Sequence, residues 1–389
     1  MSLPLAGMKV IEMAAIGPVP FCGMTLGDMG AEVIRVDRTH DAGLGFPTPP
    51  RFDVLARGKR SLAVDLKRPE GLEVVRRLLA GADVAIEGFR PGTMERLGLG
   101  PEVVLAANPK LVFGRCSGWG DTGPWAQAAG HDINFLGLSG ALAAMGTDGP
   151  PPPPLNLVGD FGGAGMHLAA GVLAALLAAR ATGKGQVVAT SIAQGAVALM
   201  PMIYGRYAAG DWTLTRGDNG LDGGAPYYRC YETRDGRYMA VAPIEKKFYA
   251  VFLRLMGLEA DVDPARQHDK TTWPATAAIF AGAFLARTQA EWSALFAGSD
   301  ACVTPVLNME EAPRHPQQVA ARAFTVVEGA PQPAPGARFA DPAPAGAVSP
   351  ETGAHTMAVL GALGYTGERI AGLLADGIVA CAQDTPACP

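Results

Sequence analysis

Two residues in one glycine-rich stretch are of types that move protons. His131 stands in Gly130-His131-Asp132-Ile133-Asn134-Phe135, and Asp160 in Gly159-Asp160-Phe161-Gly162-Gly163. An imidazole, with an ordinary pKa near ~6.5, takes and returns a proton around neutral pH, so a histidine offered on a glycine-flanked turn suits general acid-base work. A carboxylate in a bare turn lets a ligand approach the backbone closely. Each also has a structural reading, His131 as an ordinary loop histidine and Asp160 as the N-cap of a following helix. A third acid, Glu245, opens a helix further on, where interaction with the helix dipole is reason enough for it. The chain has no Gly-x-Ser-x-Gly elbow, no His-Glu-x-x-His and no calcium loop, which leaves acid-base or carboxylate chemistry with no metal site indicated.

The elements that must hold these residues read as a doubly wound α/β domain. Met8 to Met13, Ala31 to Asp37, Ser61 to Leu66, Asp83 to Glu87 and Leu111 to Cys116 are apolar runs of strand length. The amphipathic Pro69 to Ala80 and the stretch Pro18 to Met29 between them read as helices. The helix near Pro18 lacks the Gly-x-Gly-x-x-Gly fingerprint, so the pattern indicates the sheet without indicating a dinucleotide. Ligands of such sheets lie beyond the carboxyl ends of the strands. Arg38 and the turn Gly88-Phe89-Arg90 fall there, and His131 follows the fifth strand to the same edge. Gly183-Lys184-Gly185 lacks the spacing of a phosphate loop.

Ala164 to Ala181 approaches membrane-spanning length, but it is alanine-rich and interrupted by His167 and Arg180, and reads as a helix buried in a folded domain. From Gly220 the texture changes. Tyr227 to Thr233 and Arg237 to Ala242 flank Asp235-Gly236 as a hairpin, and helices are expected at Glu245 to Glu259, Pro274 to Ala286 and Gln289 to Phe296. The resulting expectation is a large α/β domain over 1–190, a linker over 191–219 and a small α+β domain over 220–327. A Pro-rich crossing segment with two short closing helices follows over 328–389.

At 389 residues and 49% hydrophobic, the chain exceeds what one core usually serves. A net charge of -5 without any long Lys/Arg run speaks against a nucleic-acid partner. The N-terminal residues lack a basic segment and apolar core, so a cytoplasmic protein is expected. The six cysteines are scattered and read as buried free thiols.

Several stretches occur together and in order: Gly118-Trp119-Gly120 with Gly123-Pro124, Ala129 to Phe135, Leu138-Ser139-Gly140, Asp160 to Gly163, Leu221 to Pro226 and Ile244-Glu245-x-x-Phe248-Tyr249. With Arg57 to Ser61, Arg90 to Leu99 and Asp300 to Val306, the chain resembles the alpha-methylacyl-CoA racemase branch of the family III CoA-transferases along nearly its whole length. It departs from that pattern at Ala189, where an acid is frequent, and at Pro243, where glycine is frequent. The resemblance implies inversion of the α-carbon of a 2-methylacyl-CoA by two-base proton transfer. His131 and Asp160 would be the bases, Glu245 would pair with the histidine, and the Asp132 N–H would donate to the enolate oxygen. It further implies that Arg38, Lys59, Gly88 and Arg90 lie near the CoA moiety, that CoA is part of the substrate with no separate cofactor, and that two chains interlock as a homodimer. A CoA-transferase using Asp160 as nucleophile, or a non-catalytic CoA-binding protein, are the other readings.

Overall fold

The computed structural model describes residues 3–40, 43, 45–46, 48–340 and 347–382. In chain order the elements begin β1 (Lys9–Met13), α1 (Pro18–Asp28), β2 (Glu32–Asp37), β3 (Arg60–Val64), α2 (Pro69–Ala80) and β4 (Val84–Glu87). They continue α3 (Thr93–Arg96), α4 (Pro101–Ala107), β5 (Val112–Ser117), α5 (Asp132–Ser139), α6 (Met166–Thr182), β6 (Val187–Ser191) and α7 (Ile192–Ala198). Next come α8 (Pro201–Ala208), β7 (Arg229–Glu232), β8 (Tyr238–Val241), α9 (Lys246–Met256), α10 (Trp273–Phe284), α11 (Gln289–Phe296) and β9 (Val303–Pro305). The chain closes with α12 (Pro316–Ala320), β10 (Phe324–Val327), β11 (Ala330–Pro333), α13 (Thr356–Ala362), α14 (Gly367–Ala375) and β12 (Val379–Ala380).

Two compact units result: 1–139, 154–199 and 317–389 form the first, and 140–153 with 200–316 the second. Within the expected 191–219 linker, 192–198 and 201–208 are helical, as α7 in the first unit and α8 in the second, and 209–219 is turn and loop. Its apolar runs, too short to signal a helix by themselves, complete turns once packed.

The first unit is built on a seven-stranded sheet in the order β12-β3-β2-β1-β4-β5-β6. Strands β1 to β6 pair in parallel and β12 runs antiparallel to β3. The order reverses between β1 and β4, which creates the crevice where ligands of doubly wound sheets bind. The strands are near-continuous apolar runs because both faces are covered. Ile11, Ile34, Leu62 and Phe113 pack with α2, α13 and α14, while Val10, Val33, Val84 and Val112 pack with α1 and α6. The stretch Leu157–Thr182 has the length and composition of a membrane span. Within it Leu168 and Val172 of α6 are fully buried in this core, each worth about 2 kcal/mol on burial. Within the expected crossing segment β11 pairs as a hairpin with β10, which falls inside the bounds expected for the small domain; 341–346 lie outside the described residues.

The second unit is a three-stranded antiparallel sheet, β7-β8-β9, with the expected hairpin at Asp235-Gly236 and β9 as an added strand. Its core is aromatic: Tyr231 stacks on Phe284 at 5.2 Å, and Phe252, Phe280, Trp292 and Phe296 surround them. The buried face of α9 is centred on Tyr249, Phe252 and Leu253. Cys22 and Cys116 are buried free thiols as expected, whereas Cys230 and Cys302 are exposed and Cys381 is disulfide-bonded; Cys388 lies outside the described residues.

Candidate active site

His131 and Asp160 both belong to the first unit, and the fold brings them within electrostatic reach of each other. His131 is the residue immediately before α5, not part of an open loop. Its carbonyl accepts from Asn134 N at 2.8 Å, and its N–H donates to Asn134 Oδ1 at 3.0 Å. This reciprocal pair closes the first turn, as capping boxes do, and leaves the exposed imidazole at the helix start. The Asp132 N–H, first in α5, makes no hydrogen bond with a described residue. A free amide at a helix N-terminus is a ready donor for a developing negative charge.

Asp160 does not precede the helix as an N-cap. It lies inside Leu157–Gly165, a wide π-helical segment that runs directly into α6. Such segments cluster at functional sites because the widened turn re-aims side chains. The carboxylate lies against Gly17 at the start of α1; a Cβ there would sit 2.8 Å from Asp160 Oδ2. Gly17 also holds φ 72°, so glycine is required twice over. Beside it Phe161 stacks on Phe21 of α1 at 4.6 Å, which helps exclude water.

Half-burial in this setting is the main reason the Asp160 carboxyl is lifted from its ordinary 3.8 to about 6. The negative Asp132 adds to the rise, while a hydrogen bond from the Asn156 side chain and the His131 imidazole oppose it. Desolvation wins because a carboxylate cannot replace lost water with a single side-chain donor. Asp132 is itself pushed up by burial, countered by hydrogen bonds from the Asp160 and Gly159 N–H groups.

The other expected site residues divide. Arg38, one residue past β2, and Arg90, three past β4, are exposed at the carboxyl edge of the sheet. No ion pair with a described residue engages either. Phe89 N donates to Glu87 Oε2 at 2.7 Å, which fixes the turn carrying Arg90. Gly88 lies at the reversal point, but a Cβ there would meet Val19 Cγ2 at 2.9 Å and Ala15 Cβ at 3.2 Å, so its bareness serves the packing of the crevice wall.

Lys59 requires correction as a CoA-phosphate ligand. It is 3% exposed, and its Nζ donates to Glu12 Oε1 at 2.8 Å, Glu12 Oε2 at 2.6 Å and the Pro20 carbonyl at 2.9 Å. All three ammonium hydrogens are engaged inside the sheet. Burial pushes the Glu12 carboxyl up and the Lys59 ammonium down, each countered by the other's charge. The pair ties β1, α1 and the start of β3 together beneath the Gly17 turn.

Glu245 belongs to the second unit. It is exposed, directly precedes α9 and makes no side-chain cap. The preceding Pro243 and Ile244 carbonyls both accept from Gln267 Nε2 at 2.9 Å, so the backbone leading to Glu245 is fixed with proline in place. Sequence reasoning missed Gly17, Asn156 and the side chain of Asp132, because nothing local marks them as neighbours of Asp160.

Residues 5–356 match the family described as CoA-transferase family III. Over 380 residues the chain is 46% identical to alpha-methylacyl-CoA racemase of Mus musculus, covering 96% of this chain and 97% of that one. It is 42% identical over 383 residues to the Homo sapiens protein of the same name, covering 97% and 98%. Among solved structures, a CAIB/BAIF family protein from Brucella suis aligns with a TM-score of 0.80 at 27% identity, covering 93% of this chain and 100% of that one.

Proposed function

The chain belongs to the CoA-transferase family III, and from that premise we propose that it is an alpha-methylacyl-CoA racemase, inverting the α-carbon of a 2-methylacyl-CoA thioester. The thioester carbonyl acidifies the α-hydrogen, and its removal gives a planar enolate. His131 on one face and Asp160 on the other form a two-base pair: one removes the proton, the other delivers a proton to the opposite side. The free Asp132 N–H at the start of α5 donates to the enolate oxygen as charge develops there. Arg38 and Arg90 face the CoA phosphates as exposed cations on the carboxyl edge. Glu245 pairs with an imidazole to orient it and support its charged form, within an interlocked homodimer. CoA enters as part of the substrate, and the chemistry calls for no separate cofactor.

The observation that carries this reading is Asp160 itself, a carboxyl lifted to about 6 and within electrostatic reach of an exposed imidazole. A group so tuned exchanges protons near neutral pH, whereas an ordinary aspartate remains ionised. The test is incubation with one epimer of a 2-methylacyl-CoA in deuterated water, following the α-carbon by NMR. Loss of the α-hydrogen with epimerisation is expected. Retention of the α-hydrogen with acyl exchange to a free acid would instead assign a CoA-transferase with Asp160 as nucleophile, and binding without either change a non-catalytic protein.

A further inference from the structure

The Asp132 carboxylate has no part in the scheme above, which uses only the Asp132 amide. Its surroundings are nonetheless specific. Oδ1 accepts from Asp160 N at 2.7 Å, and the Gly159 N–H also stabilises the ionised carboxylate. A Cβ on Gly159 would collide with that same oxygen, so the turn carrying Asp160 is pressed onto the Asp132 side chain. Oδ2 is buried and has no hydrogen-bond partner among the described residues. A buried, unpaired carboxylate oxygen is costly. A neutral acceptor would clamp the turn as well without placing a second negative charge beside Asp160.

We propose that the Asp132 side chain is a positioning residue with two separable effects: its Oδ1 clamps the Gly159-Asp160 turn to the start of α5, and its carboxylate places a second negative charge beside the Asp160 carboxylate. The clamp fixes the separation between the element bearing His131 and the turn bearing Asp160. The charge acts because like charges in a half-buried site disfavour joint ionisation. Other groups do not substitute for it. Just before α5 the remaining titratable neighbour is His131, which acts in the opposite sense. Cys116 of β5 faces Asp160 with its thiol held protonated by burial, and His167 of α6 is turned onto the Gly163 carbonyl at 2.6 Å. The segment of α1 against the site carries only Cys22, also held protonated by burial, and α7 has no titratable side chain.

The effects separate in Asp132→Asn, which keeps an acceptor and removes the charge, and Asp132→Ala, which removes both. Asp160 is followed directly by carboxyl-carbon NMR titration, assigned by its loss in Asp160→Asn. In Asp132→Asn its midpoint should fall by about one pH unit. The Gly159 and Asp160 amides should exchange with deuterium at near wild-type rates in Asp132→Asn and about tenfold faster in Asp132→Ala. An unmoved Asp160 midpoint in Asp132→Asn, or equal amide exchange in the two variants, would overturn the proposal. The consequence for turnover rests on the racemase reading: the acid limb of kcat/KM should shift to lower pH in the direction where Asp160 takes the proton. A wild-type protein that fails to epimerise would sink that reading, while the titration and exchange still decide the role of Asp132.

Discussion

Replacing Asp160 with asparagine should stabilise the protein while abolishing its chemistry, and the gain should grow with pH. The folded chain holds this carboxyl at about 6 against an ordinary 3.8. Below 3.8 the group is protonated both folded and unfolded and contributes nothing. As pH rises through that value the unfolded chain releases the proton while the folded chain retains it, so stability falls until the folded carboxyl ionises too. The full penalty is then present above pH 6. At about 1.4 kcal/mol per pH unit the rise corresponds to roughly 3 kcal/mol, which partial exposure of the carboxylate reduces to about 2. Asparagine mimics the protonated acid at every pH and escapes this loss. Urea denaturation of Asp160→Asn and wild type at pH 4.5 and pH 8 should therefore give a difference of about 2 kcal/mol at the higher pH and roughly a third of that at the lower. Equal stability at pH 8, or a gain independent of pH, would show that the site does not strain an ionised carboxylate.

Lys59→Met should destabilise the fold by about 3–5 kcal/mol in urea denaturation, because it strands Glu12 as a buried unpaired charge. Adding Glu12→Gln should restore much of the loss, and CoA-ester affinity in the folded double variant should stay near wild type, as befits a buried lysine whose ammonium is held by Glu12 and the Pro20 carbonyl. Gly159→Ala should cut turnover by about tenfold or more, since the new methyl pushes Asp132 Oδ1 off the turn and misplaces Asp160. Its CoA-ester binding, measured by calorimetry, should be largely retained.

The sheet was legible because fully covered parallel strands must be apolar throughout, and α2 and α11 match their sequence-derived bounds residue for residue, Pro69–Ala80 and Gln289–Phe296. Asp160 stood out in the sequence as a candidate, but its setting did not. Leu157–Gly165 is glycine-rich and has little helical preference of its own; it is shaped by packing against α1, α6 and α7. Arg57-Gly58-Lys59-Arg60 carries three cations in four residues, yet its lysine is buried against Glu12, 47 positions away. No local pattern reports such a pairing. The clamp from Asp132 to Asp160 spans 28 positions and was hidden for the same reason, whereas the ordered family motifs around both residues were plain.

The altered carboxyl explains how one scaffold can hold an aspartate for proton exchange. A two-base inversion leaves its pair in the opposite protonation state: charged imidazole with ionised acid in one direction, neutral imidazole with neutral acid in the other. If the two proton affinities are far apart, one state dominates and one direction starves. An unperturbed aspartate at 3.8 is ionised almost completely near neutral pH and rarely holds a proton to deliver. Raising the acid to about 6 increases the share of molecules that hold that proton, which favours reversible exchange. A nucleophilic aspartate has no such requirement, since it must simply be ionised when the thioester arrives. Desolvation against Gly17, reinforced by the Asp132 charge, therefore suits Asp160 to reversible proton transfer better than to acyl capture.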